Sequence, residues 1–96
     1  MQRKTKFYVY KTEESSLEGN VLTYQLVSNI FRNFDLDCTI NYNSMILDGN
    51  FYDGLCITSY HCTEDKIDSV VEYLKKLFNI PSVYVEVTER AVAKYD

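Results

Sequence analysis

The sequence predicts an α+β fold, a four-stranded antiparallel sheet with two helices on one face. Three observations carry that expectation. Short runs near each end alternate apolar and polar residues with a period of two, two longer stretches repeat apolar residues at helical spacing, and Asp48-Gly49 separates two β-rich runs in the middle. Asp-Gly between such runs is a preferred two-residue hairpin turn, because both positions accept positive φ.

Lys6-Phe7-Tyr8-Val9-Tyr10-Lys11 opens the order as a strand, aromatic and β-branched between charges. Phe7 and Val9 then face one side, Tyr8 and Tyr10 the other. Ser15 with Glu18 three residues on matches a capping box and starts a helix running to about Phe34. Its apolar stripe is Val27, Ile30, Phe31 and Phe34, widened by Leu22 and Leu26. Asp35 and Asp37 form a polar turn into the hairpin. Pairing Leu47 with Asn50 sets Ile46 opposite Phe51, Tyr42 opposite Leu55 and Ile40 opposite Ile57 on a single inward face. A slip of one residue would scramble that separation, so the register is specified by its own pattern.

Thr63 caps a second helix, with Glu64 and Asp65 in its first turn and Ile67, Val70, Val71, Leu74, Leu77 and Phe78 as its inward stripe. Glu72 and Lys76 form an i, i+4 pair outside. Asn79 accepts the left-handed stop, Ile80 folds back, and Pro81 prevents continuation. Ser82 to Thr88 alternates strictly as the last strand, its valines inward. The order β-α-β-β-α-β with one apolar face is the ferredoxin-like arrangement. We expect a single domain over residues 1–96, with a basic arm at 1–5 and an unassigned short tail at 89–96.

Composition narrows function by exclusion. A formal charge of −4 argues against nonspecific nucleic-acid binding, although Arg3, Lys4, Lys6 and Lys11 crowd the N-terminal end. Cysteines at 38, 56 and 62 are an odd set without regular spacing, which suits a reducing compartment. Neither a leader nor a membrane-length apolar stretch is visible, so the cytoplasm is expected. Cys56, His61 and Cys62 match no zinc spacing, and His61-Cys62 as strand neighbours point apart, so no metal or cofactor is expected. The lone histidine has no nucleophile within local reach. The abundant Asn, Tyr, Ile, Lys and Phe use AT-rich codons, as in low-GC bacteria and their phages.

The surplus lies in tyrosine, nine of 96 residues with no tryptophan. Alternation leaves Tyr8, Tyr10, Tyr52, Tyr60, Tyr84 and Glu86 on the sheet face away from the helices. Rings with hydroxyl handles in such a patch mark an interface. Phe7-Tyr8-Val9-Tyr10 resembles the first-strand motif of RNA-recognition motifs, and Gly54 and Tyr60 fit their third-strand motif. Asp53, Leu55 and Ile57 depart from its basic and stacking positions, so the resemblance covers the fold. The acylphosphatase family shares that arrangement, but here the loop after the first strand is Thr12-Glu13-Glu14-Ser15, which would repel phosphate.

The expectation is therefore a small non-enzymatic protein-binding module, acting as a homodimer or docked on a larger protein partner. By analogy of size and composition it fits an inhibitor from a phage or mobile element, of the anti-CRISPR type, aimed at a host or its defences. Single-stranded RNA binding by the open face and a small-molecule regulatory domain are the alternatives.

Overall fold

The computed structural model describes residues 3–96. Its elements are β1 (Lys4–Tyr10), α1 (Val21–Asn33), β2 (Thr39–Leu47), β3 (Asn50–Tyr60), α2 (Glu64–Phe78), β4 (Val83–Val87) and β5 (Ala93–Tyr95). All five strands form one antiparallel sheet in the order β2-β3-β1-β4-β5. The α+β class and the two helices are as expected, and the first four strands broadly follow the ferredoxin-like order.

The strand count is corrected from four to five. Glu89 turns the chain at φ 67, Arg90 N–H donates to Val87 O at 2.9 Å, and Ala93–Tyr95 returns along Val83–Val85. Three residues are too few to show alternation, so this strand was hidden in the tail at 89–96. Of the basic arm at 1–5, Met1 and Gln2 lie outside the described residues, and Lys4 and Thr5 already belong to β1.

The hairpin register is as expected at every pair named, from Leu47–Asn50 to Ile40–Ile57. Asp48 at φ 56 and Gly49 at φ 80 make the turn that lets two right-twisted strands meet. The core between sheet and helices holds Phe7, Val9, Leu55, Ile57, Val83 and Val85 from the strands, with Val27 and Phe31 from α1 and Ile67, Val70, Val71, Leu74 and Phe78 from α2. Phe7 and Phe31 meet edge to face, ring centres 5.4 Å apart.

Helix α1 starts later than the capping box suggested. Asn20 is its cap, the side-chain oxygen accepting from Thr23 N–H at 2.9 Å. Ser15 instead closes a local turn with Thr12. The buried stripe narrows to Thr23, Val27 and Phe31, leaving Leu22 and Leu26 exposed. Thr63 does occupy the cap position of α2, without a side-chain cap bond, and Glu72 pairs with Lys75 at 3.0 Å rather than with Lys76. Asn79 is left-handed as expected, and Ile80 N–H closes on Lys75 O.

The two faces of the hairpin depart from the expected split at its far end. Ile46 and Phe51, assigned to the core, are exposed, whereas Met45 and Leu47 on the opposite side are buried. Strands of nine and eleven residues outrun the seven of β1 and five of β4. Beyond the helical cover the hairpin curls over the reverse face of the sheet, as a strongly twisted ribbon does.

Candidate functional site

The curl divides the reverse face into two zones. In the first, Met45, Leu47, Tyr10 and Tyr84 are buried, and Met45 stands opposite the half-buried Tyr52. The Tyr10 ring lies 4.9 Å from Tyr52 and 6.0 Å from Tyr84, and its hydroxyl shares a 2.8 Å hydrogen bond with buried Ser82 Oγ. Burial pushes the Tyr84 phenol pKa up, and the Asp48 carboxylate from the hairpin turn adds to it. Tyr10 and Tyr84, expected at the surface, are 6% and 8% exposed. They form a small second apolar layer, because the hairpin end supplies the cover that alternation alone does not reveal. Gly54 sits opposite Tyr10 at the root of this layer. A Cβ there would stand 2.1 Å from Val9 O, so the close approach of β1 and β3 admits only glycine.

The second zone stays accessible and is polar. Tyr8 in β1 pairs across to Cys56 in β3 and to Tyr84 in β4, and Lys6 sits opposite both Thr58 and Glu86. Tyr8 Oη donates to Glu86 Oε1 at 2.7 Å. Burial first, then the Glu86 hydrogen bond, holds the Tyr8 proton on well above the ordinary tyrosine range. Tyr8 is therefore a neutral donor that fixes the Glu86 carboxylate in place. Burial raises the Cys56 thiol too, although Thr58, Lys6 and Tyr8 pull against it, so the thiolate nucleophile is disfavoured there.

Beside this pair Lys4, Lys6, Glu86 and Thr88 line a hollow of about 180 Å³. Thr88 Oγ1 accepts from Lys4 N–H and donates to Lys4 O, both at 2.9 Å, which locks β4 to β1 and holds the rim. A larger hollow of about 470 Å³ lies on the outer flank of α1, where Arg32 is the one charged lining residue. Two ammonium groups and a carboxylate make the smaller one the chemically richer site.

Of the six residues expected on the face, Tyr8 and Glu86 are brought into contact and Tyr60 lies half-buried along the same strand face, while Tyr10, Tyr52 and Tyr84 belong to the covered zone. Lys4 and Lys6 were missed as site residues because they read as a terminal basic arm. Their alternation with Thr5 and Phe7 was the available signal. Among the described residues, no group of three or more His, Cys, Asp or Glu side chains is placed to hold a metal ion, and no helix is long and apolar enough to cross a membrane.

No family model and no curated protein matches the chain. Among solved structures it is similar to a phage SAM lyase in its apo state, with a TM-score of 0.58 and 13% identity over 96% of this chain and 86% of that one. At this identity the likeness shows a shared fold alone. It nevertheless corrects the expectation that the chain is not an enzyme: that exclusion rested on a histidine with no nucleophile in reach and on a loop that would repel phosphate, and a protein of the same fold is a lyase.

Proposed function

We propose that the chain is a phage-borne protein of the anti-defence kind that binds S-adenosylmethionine on the open sheet face and acts on it as a lyase. The observation that carries this reading is the hollow lined by Lys4, Lys6, Glu86 and Thr88, whose Glu86 accepts the Tyr8 hydroxyl hydrogen bond. An amino-acid end bears one carboxylate and one ammonium. Two lysines and one glutamate are the matching set of charges. At about 180 Å³ the hollow is smaller than the roughly 300 Å³ at which whole-ligand pockets begin, so it takes the amino-acid end. The nucleoside then lies along Tyr8, Cys56 and Tyr60, where the rings offer flat faces for a base and for the sulfonium cation. Tyr10, Tyr52 and Tyr84 form the rigid covered zone beside it.

A lyase breaks the carbon–sulfur bond without water. A carboxylate oxygen of the amino-acid end attacks its own γ-carbon, so that a carbon–oxygen bond forms and closes a lactone as the γ-carbon–sulfur bond breaks, and the sulfur leaves with that electron pair as a neutral thioether. Lys6 and Lys4 orient the carboxylate, and Glu86, held by Tyr8, orients the ammonium. Removing S-adenosylmethionine would deprive any host methylating defence of its donor. The likeness to a phage lyase and an abundance of residues whose codons are AT-rich support this setting.

The test is to incubate the purified chain with S-adenosylmethionine and follow thioether release by chromatography. Turnover is expected, with Glu86→Gln reducing it about tenfold to a hundredfold, the cost of a lost charged contact. An intact chain that neither consumes the compound nor binds it by calorimetry at millimolar concentration would overturn the proposal.

A further inference from the structure

Cross-strand pairing lays the accessible zone of the sheet out as a grid. One row runs Asn41, Cys56 and Tyr8 across β2, β3 and β1. The next runs Thr58, Lys6 and Glu86 across β3, β1 and β4. The hollow that takes an amino-acid end lies at the β4 end of this second row. Neighbouring strands stand about 4.8 Å apart, so β2 lies roughly 12 Å from the hollow. That is the reach of an amino acid joined through sulfur to an extended nucleoside. In the other direction the nucleoside would meet Lys94 and Asp96, whose charges are paired with each other at 3.8 Å.

We infer that Asn41 reads the base of S-adenosylmethionine and makes the site selective for adenine. The assignment rests on the lyase reading and adds to it a residue that sets specificity. A carboxamide presents a carbonyl acceptor and an N–H donor side by side, the complement of the 6-amino group and N7 of adenine. Thr58 and Cys56, the nearest other polar side chains of β3 on this face, each offer a single polar atom and cannot match that pair. Asn43, the second amide on this side of β2, sits opposite Gly54, about 7 Å farther along the strand and away from the hollow. Asn41 is exposed on an edge strand, so the base reaches it without displacing a neighbour. With the edge of the base at Asn41, its ring lies over Cys56 beside Tyr8, and the ribose falls over Thr58 next to Lys6.

Kinetics with S-adenosylmethionine and with its deaminated analogue, S-inosylmethionine, test the assignment. The analogue carries an oxygen in place of the 6-amino group, so the donor that Asn41 needs becomes an acceptor. The wild-type chain should prefer the adenine compound by about tenfold to a hundredfold in kcat/KM. Asn41→Ala should raise KM for S-adenosylmethionine by a similar factor at unchanged kcat, because the base lies away from the bond that breaks. It should also cease to distinguish the two compounds, which a purely structural residue would not bring about. Circular dichroism reports whether the variant keeps its fold. Should it not, Asn41→Thr, a better strand former, takes its place. A wild-type chain that processes both compounds alike, or a folded variant that keeps the preference, would overturn the assignment and leave the lyase reading standing. A wild-type chain that neither binds nor consumes S-adenosylmethionine would overturn both.

Discussion

Thr5 and Gly54 show how single positions set local energetics. Thr5 lies fully buried in β1, and its Oγ1 is the one buried side-chain oxygen or nitrogen without a partner among the described residues. A desolvated hydroxyl with nothing to bond costs free energy that a methyl of the same shape does not. Thr5→Val should therefore stabilise the fold by about 1 kcal/mol, read as an increase in the urea midpoint at unchanged slope. Gly54→Ala should do the reverse. Its methyl would press on the Val9 carbonyl and the Tyr10 Cα, both backbone, and the loss should reach about 3 kcal/mol in the same measurement. Gly54 appears in the sequence only as one more residue of an alternating strand. Its necessity depends on the distance between two chains, which no local pattern encodes.

At the scale of the element, α1 depends on Asn20 and α2 on its stripe. Asn20→Ala removes the bond to Thr23 N–H and should cost about 1 kcal/mol, checked by thermal melting of the two chains side by side. Helix α2 was legible because five buried residues recur through fifteen at helical spacing. The start of α1 was not, because Ser15 and Glu18 carry a cap pattern that Ser15 spends on Thr12, while Asn20 holds the cap bond. The hairpin turn and register were legible throughout, since Asp48-Gly49 and the two-residue period agree. The curl at its far end was not. Whether Met45 or Ile46 is covered depends on where the helices stop, and that is a property of the packed molecule. The same gap explains the candidate site: Tyr8 and Glu86 were identifiable from alternation, whereas the covering of Tyr10 and Tyr84 followed from the curl.

Whole-molecule stability should respond to pH at both ends. Glu64 at the start of α2 accepts from Arg90 and from Arg3, and these partners, Arg90 foremost, hold its carboxyl below the ordinary glutamate range. That contribution is present above the unfolded value and lost as pH falls through the folded one. It is small, since all three groups are solvated. On the alkaline side Tyr8 acts together with Tyr84 and with Cys38, Cys56 and Cys62, whose protons burial also holds on above their ordinary ranges. The folded Tyr8 proton is held above the usual range, so its stabilisation is complete below about pH 10, where an unfolded tyrosine ionises, and is lost as pH rises beyond it. Denaturant midpoints measured from neutral pH to pH 11 should begin to fall near pH 9, where unfolded thiols ionise, and fall further above pH 10, where Tyr8→Phe should flatten the curve. An equal slope in the variant would assign the alkaline loss to other groups.

The short strand β5 bears on what kind of particle this chain builds. A sheet with two receptive borders adds copies without limit and grows into fibres. Here three residues and a lysine seal one border, so strand addition is confined to the other and cannot propagate through the sheet.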